Sequence, residues 1–194
     1  MILLLRLTAG LISPVLAAGR HIAWVALALM VSVILAQVFF RYVLNNALAW
    51  PDEAARFLML WMTALIAPTA LRVGGFVSIT MLSTFLGKRP AQLLNIILLG
   101  MAMLVLLVSV QHGYKHTFGF GGKFDSSSLR IPLNWIGFDV VKVKLRYMYG
   151  SLLLCVLLMI AVMFELILRS VILLFNPKAD LPEIPRFVQN VETD

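Results

Sequence analysis

Charge is scarce in this sequence. Asp, Glu, Lys and Arg make up 13% of its 194 residues, against roughly 25% in an ordinary soluble domain. The charges gather in short clusters between long uncharged runs, and 61% of the chain is hydrophobic. That pattern excludes an ordinary soluble domain and defines a polytopic membrane protein. Cysteine is nearly absent. Cys155 stands alone inside an apolar run, which rules out an intrachain disulfide and a cysteine-based metal cluster and leaves a small hydrophobe in a helix. The net charge of +7 does not indicate a nucleic-acid binder. The Lys and Arg residues flank apolar runs, where such side chains snorkel to lipid headgroups. The apolar runs contain no pair of carboxylates suited to a proton relay. There is no Gly-rich phosphate loop and no Ser–His–Asp set, so the chain has no recognisable catalytic machinery. His112 and His116 share a helix face at i,i+4 spacing, but no Cys, Asp or Glu close in sequence completes a zinc site. Neither haem nor any other cofactor is expected.

The uncharged runs set the architecture. Residues 21–40 lie between Arg20 and Arg41, and twenty helical residues at ~1.5 Å rise cross a hydrocarbon core of ~30 Å. Residues 57–71 are bracketed by Arg56 and Arg72. That run is short for a crossing, so the second helix is placed at 51–74, with Trp50 at the interface, Pro68 as a potential kink and Arg72 snorkelling from its end. The third and fourth spans fall at 91–111 and 147–168, the fourth closed by Glu165 and Arg169 at i,i+4. Residues 1–19 are apolar with one charge, Arg6, and read as an interfacial helix lying along the membrane. A second amphipathic segment is placed at 73–87. The Gly- and Ser-rich stretch 112–146 reads as a long loop, and 176–194 as a polar tail. The expected fold is an all-α integral membrane protein: a single domain of four transmembrane helices, an N-terminal interfacial helix and short amphipathic segments. Ala28, Ser32 and Ala36 recur at i+4 on the first span as a helix-packing face. No internal repeat is visible, whereas many stand-alone secondary transporters carry one. Lys and Arg divide evenly between the two sides, and charge alone leaves orientation open.

One dense polar cluster, residues 41–56, lies at a membrane boundary. Asn45-Asn46 suits a turn and Pro51 the first position of a helix. Asp52 and Glu53 then fall in the first turn, where acids complement the helix dipole. Arg56 follows one turn on. Two readings stand: a well-capped helix start, or a docking site for a partner subunit, because a shielded Glu–Arg pair at a membrane boundary is costly without a partner.

Gln37-Val38-Phe39-Phe40-Arg41-Tyr42, then Trp50-Pro51-Asp52-Glu53-Ala54-Ala55-Arg56 and Trp61, resemble the small permease subunit of tripartite ATP-independent periplasmic (TRAP) transporters. The run Arg72-Val73-Gly74-Gly75-Phe76-Val77 is similar to that family's Arg-x-Gly-x-His-Ile, with Phe76 where the histidine usually stands. Ser127-Ser128-Leu129-Arg130-Ile131-Pro132-Leu133-Asn134-Trp135 resembles its late Ser-x-x-Leu-x-Ile-Pro-x-x-Trp element. The resemblance covers nearly the whole chain. It implies a multi-pass protein of the bacterial inner membrane with both termini cytoplasmic. Such a protein scaffolds a large permease subunit, which carries the sodium coupling and the substrate site. It also helps a periplasmic substrate-binding protein deliver an organic acid. On this reading Arg41, Trp50, Glu53, Arg56, Trp61 and Arg72 face the large subunit, and Ser128, Pro132 and Trp135 belong to the periplasmic contact. Membrane lipid is the remaining partner. Two alternatives compete: a membrane-anchor subunit of a redox or enzyme complex, and an independent four-helix channel or exporter.

Overall fold

A computed structural model describes residues 2–74, 88–131, 141–175, 181, 182 and 184. Among them, four helices are long and apolar enough to cross a membrane. Helix α1 runs Ile2–Tyr42, α2 Pro51–Gly74, α3 Lys88–Phe118 and α4 Arg146–Phe175. Between α3 and α4 lie a 3-10 turn, Phe120–Lys123, and two strands, β1 Asp125–Ile131 and β2 Val141–Lys144.

The N-terminal stretch is helical, as its composition predicts, but no break divides it from the first span. The 41 residues of α1 reach ~61 Å at 1.5 Å rise, about twice the hydrocarbon thickness. A heptad pattern explains its packing. Leu5, Ala9, Leu16, Gly19, Ala23 and Ala26 are buried, and Met30, Val33, Gln37 and Phe40 continue the same spacing half-buried. Residues spaced alternately three and four apart keep one narrow seam facing a neighbour. At Gly19 the seam meets α2: a Cβ there would stand in ordinary contact, 3.5 Å from the backbone oxygen of Leu65. Ala28, Ser32 and Ala36 lie off this seam and are exposed. The small-residue stripe is therefore not the face that packs within the chain.

Helix α4 is the centre of the bundle. In its most apolar window 33% of residues are buried, against 11% in α1 and α3. Val162, Met163 and Leu166 of α4 form the core with Leu16 of α1 and Leu99 of α3. Near the other end of α4, α3 approaches closely: a Cβ on Gly113 would sit 3.4 Å from the side chain of Leu153.

The helices outrun the uncharged stretches that locate them. The third span continues through His112 and His116 to Phe118, and the fourth extends from 168 to Phe175. The expected loop 112–146 thus begins with two turns of helix and then forms an antiparallel pair. Its register is Asp125↔Lys144, Arg130↔Lys142 and Ile131↔Val141, with an irregularity between the first two. The amide of Leu145 donates to the carbonyl of Phe124 at 3.0 Å and closes the hairpin onto α4. The amphipathic segment expected after Gly74, including Phe76, lies outside the described residues, as do Pro132, Trp135 and most of the tail.

Candidate subunit interface and its two polar layers

Polar side chains that bond between elements gather in two layers near the ends of the bundle, the first partly exposed and the second buried. The first is on the side of the α1–α2 loop. Pro51 is buried at the first position of α2 and places Asp52 and Glu53 in the opening turn. Gln37 of α1 donates from Nε2 to Asp52 Oδ1 at 2.9 Å. Glu53 turns toward β1 instead of toward Arg56. Its Oε2 accepts the amides of Ser128 (2.7 Å) and Leu129 (3.0 Å) and also the Ser128 hydroxyl. The Leu129 amide is shared with Ser126 Oγ at 3.0 Å. One carboxylate oxygen therefore fastens the strand to the start of α2 with charge-assisted hydrogen bonds, the stronger kind.

The second layer is on the side of the chain termini. Glu165 of α4 has no exposed surface, and its Oε1 accepts Arg72 Nη2 of α2 at 2.9 Å. The same oxygen accepts Arg169 Nε at 2.9 Å and Nη2 at 2.7 Å. Arg72 also donates from Nη1 to Ser13 Oγ of α1, and Arg169 from Nη1 to the Pro182 carbonyl. One helical turn away, Asn95 Nδ2 and Gln92 Nε2 of α3 donate to the hydroxyl and carbonyl of Ser170. All four helices are cross-linked here. Arg72 is 4% exposed, so it does not snorkel as its position at a helix end predicted. In a poorly solvated environment a guanidinium is held by the nearest carboxylate.

The residues assigned to a subunit contact by sequence separate accordingly. Arg41, Trp50 and Arg56 are exposed at the loop-side end. Trp61 is half-buried, its ring 6.2 Å from that of Phe57, and its buried Nε1 has no partner among the described residues. Glu53, Ser128 and Arg72 are engaged within the chain. Sequence reasoning saw Glu165 with Arg169 but missed Ser13, Asn95 and Ser170. The usable signal was a carboxylate closing one apolar run and an arginine closing another, since charges at membrane depth pair.

Along the spans of α1 and α3 the bundle leaves apolar side chains uncovered. On α1, Val25, Leu29, Leu35 and Phe39 are exposed around the Ala28-Ser32-Ala36 stripe, and on α3 so are Met101, Leu104, Val105 and Val108. Among the described residues no group of three His, Cys, Asp or Glu gathers that would hold a metal. The fold defines a four-span membrane protein whose described polar clusters tie its own helices together.

The family of tripartite ATP-independent periplasmic transporters, DctQ component, matches residues 30–173. The chain belongs to this family and is a small membrane subunit of a TRAP transporter. No curated protein and no solved structure matches it. The match begins within α1 and ends within α4, so it takes in both sides of each polar layer except Ser13 and Pro182.

Proposed function

We propose that this chain is the scaffold of its transporter. It holds a large sodium-coupled permease subunit through the uncovered faces of α1 and α3. It presents the α1–α2 loop and the hairpin to a periplasmic substrate-binding protein that delivers an organic acid. It resides in the bacterial inner membrane with both termini cytoplasmic. The supporting observation is the contrast between its inside and its outside. The ion pairs of the described residues both end on Glu165 within the bundle, while its flanks are apolar. Sodium or organic-acid translocation needs charged groups along a path, and the buried charged side chains among the described residues, Arg72, Glu165 and Arg169, are committed to cross-linking helices. Close approach of another helix needs small residues on a bare face, and Ala28, Ser32 and Ala36 meet that need.

The test is reconstitution. Proteoliposomes holding this chain alone are expected to take up no radiolabelled dicarboxylate, keto acid or sialic acid under an inward sodium gradient. Adding the large subunit and the binding protein is expected to give sodium-dependent uptake. Uptake by the chain alone at the rate of the full system overturns the scaffold reading.

A further inference from the structure

The carboxylate of Glu53 has no ion-pair partner among the described residues, although Arg56 stands one turn away on the same helix. It is committed instead to a strand 75 positions later. Three donors from two consecutive residues, Ser128 and Leu129, converge on Oε2, and Ser126 Oγ holds the Leu129 amide from the other side. Among the described residues the strand has few other fastenings. It pairs with a single four-residue partner strand through an irregular register, and an isolated two-stranded hairpin is marginal in water. Helix α2 is firmly seated, with Pro51, Ala64, Leu65 and Pro68 all buried. A rigid span therefore lends its position to a weak hairpin through one carboxylate.

We infer that Glu53 is the positioning residue of the hairpin. It orders the strand around the exposed Ser127 for contact with the soluble binding protein and does not itself face the large subunit. This rests on the docking role proposed above and moves Glu53 from the subunit contact to the docking element. A carboxylate oxygen carries the charge that three converging N–H and O–H donors need. The neutral amide oxygen of Glu53→Gln keeps the shape and loses the charge.

The complex of this chain with its large subunit in nanodiscs, wild type against Glu53→Gln, provides the test. Backbone amide exchange at Ser128 and Leu129 is expected to accelerate on the order of tenfold, with no change in the core of α4. Affinity for the fluorescently labelled binding protein is expected to fall by a similar factor, while the amount of large subunit that co-purifies stays at the wild-type level. Ser128→Ala is expected to weaken binding less, and the double variant no more than Glu53→Gln alone, because both act through one contact. Unchanged exchange at Ser128 and Leu129 overturns the inference. So does loss of co-purifying large subunit, which would return Glu53 to the subunit contact. Faster exchange with unchanged affinity overturns the docking role of the hairpin and leaves the scaffold reading intact.

Discussion

Glu165 shows how much one side chain can be asked to hold. Its Oε1 takes three guanidinium hydrogen bonds from two arginines, while its Oε2 and the Nε of Arg72 are buried with no partner among the described residues. Two positive charges share one negative one, so removing the carboxylate leaves both unmatched. Breaking a buried pair from one side costs about 3–5 kcal/mol, whereas replacing all members with packed apolar side chains is often neutral or better. Glu165→Gln is therefore expected to lower the unfolding temperature in detergent sharply, and the triple change Arg72→Leu, Glu165→Met, Arg169→Leu much less. Tryptophan fluorescence during a thermal ramp measures both, and a Glu165→Gln protein that melts with the wild type contradicts the account. Half of this cluster was legible in the sequence. Glu165 and Arg169 are neighbours on one helix face, and their spacing announces the pair. Arg72 lies 93 positions from Glu165, and no local pattern reports which helix ends meet. The same limit hid the bond from Glu53 to Ser128, where a nearby arginine at the right spacing offered a more obvious partner.

At the scale of elements, the spans were legible because hydropathy reports contact with hydrocarbon: three uncharged runs are long enough to cross, and the short run 57–71 completes a fourth once the helix is started at Pro51. Their ends were less so. Backbone hydrogen bonding does not stop where charge begins, so α3 continues through His112 to Phe118 and α4 starts at Arg146. The hairpin escaped because Ser126-Ser127-Ser128 shows no apolar alternation. Its first strand is held by Glu53 at Ser128 and Leu129, and its second leads back into α4. The sequence did not tell which face of α1 packs within the chain, and that choice is open to experiment. Ala23 is completely buried on the seam, while Ala28 is exposed. Ala23→Leu overfills a packed contact, at a cost of roughly 1–3 kcal/mol. Ala28→Leu meets nothing inside the chain and is expected to leave its unfolding temperature in place. In co-purification with the large subunit the expectation reverses in kind: Ala28→Leu keeps a folded chain and loses the partner by blocking close approach. If Ala28→Leu retains the full amount of large subunit, the stripe is not the contact.

For the whole molecule, the two polar layers supply a ruler that the charge pattern does not. Asp52 and Arg72 lie on one helix, 72 − 52 = 20 residues apart, which is ~30 Å along its axis and matches the hydrocarbon thickness. The spacing of the layers is therefore that expected of two opposite membrane boundaries. Because Glu53 holds Ser128, the α1–α2 loop and the hairpin share one boundary whichever way the protein is inserted. Charge counts pull against the proposed orientation. Arg72 and Arg169 are consumed by Glu165 on the terminal side, whereas Lys142, Lys144 and Arg146 are exposed on the hairpin side, and the positive-inside rule would turn that side toward the cytoplasm. The docking role requires the opposite. Single cysteines at Asn46 and Ser127, both exposed, introduced into a Cys155→Ser background, separate the cases. Both are expected to react with a membrane-impermeant maleimide in intact spheroplasts. Reaction of both only after lysis would invert the molecule and remove the hairpin from reach of a periplasmic partner. Reaction of one without the other would contradict the Glu53 contact itself, since residues joined across 75 positions by hydrogen bonds cannot lie on opposite sides of a bilayer.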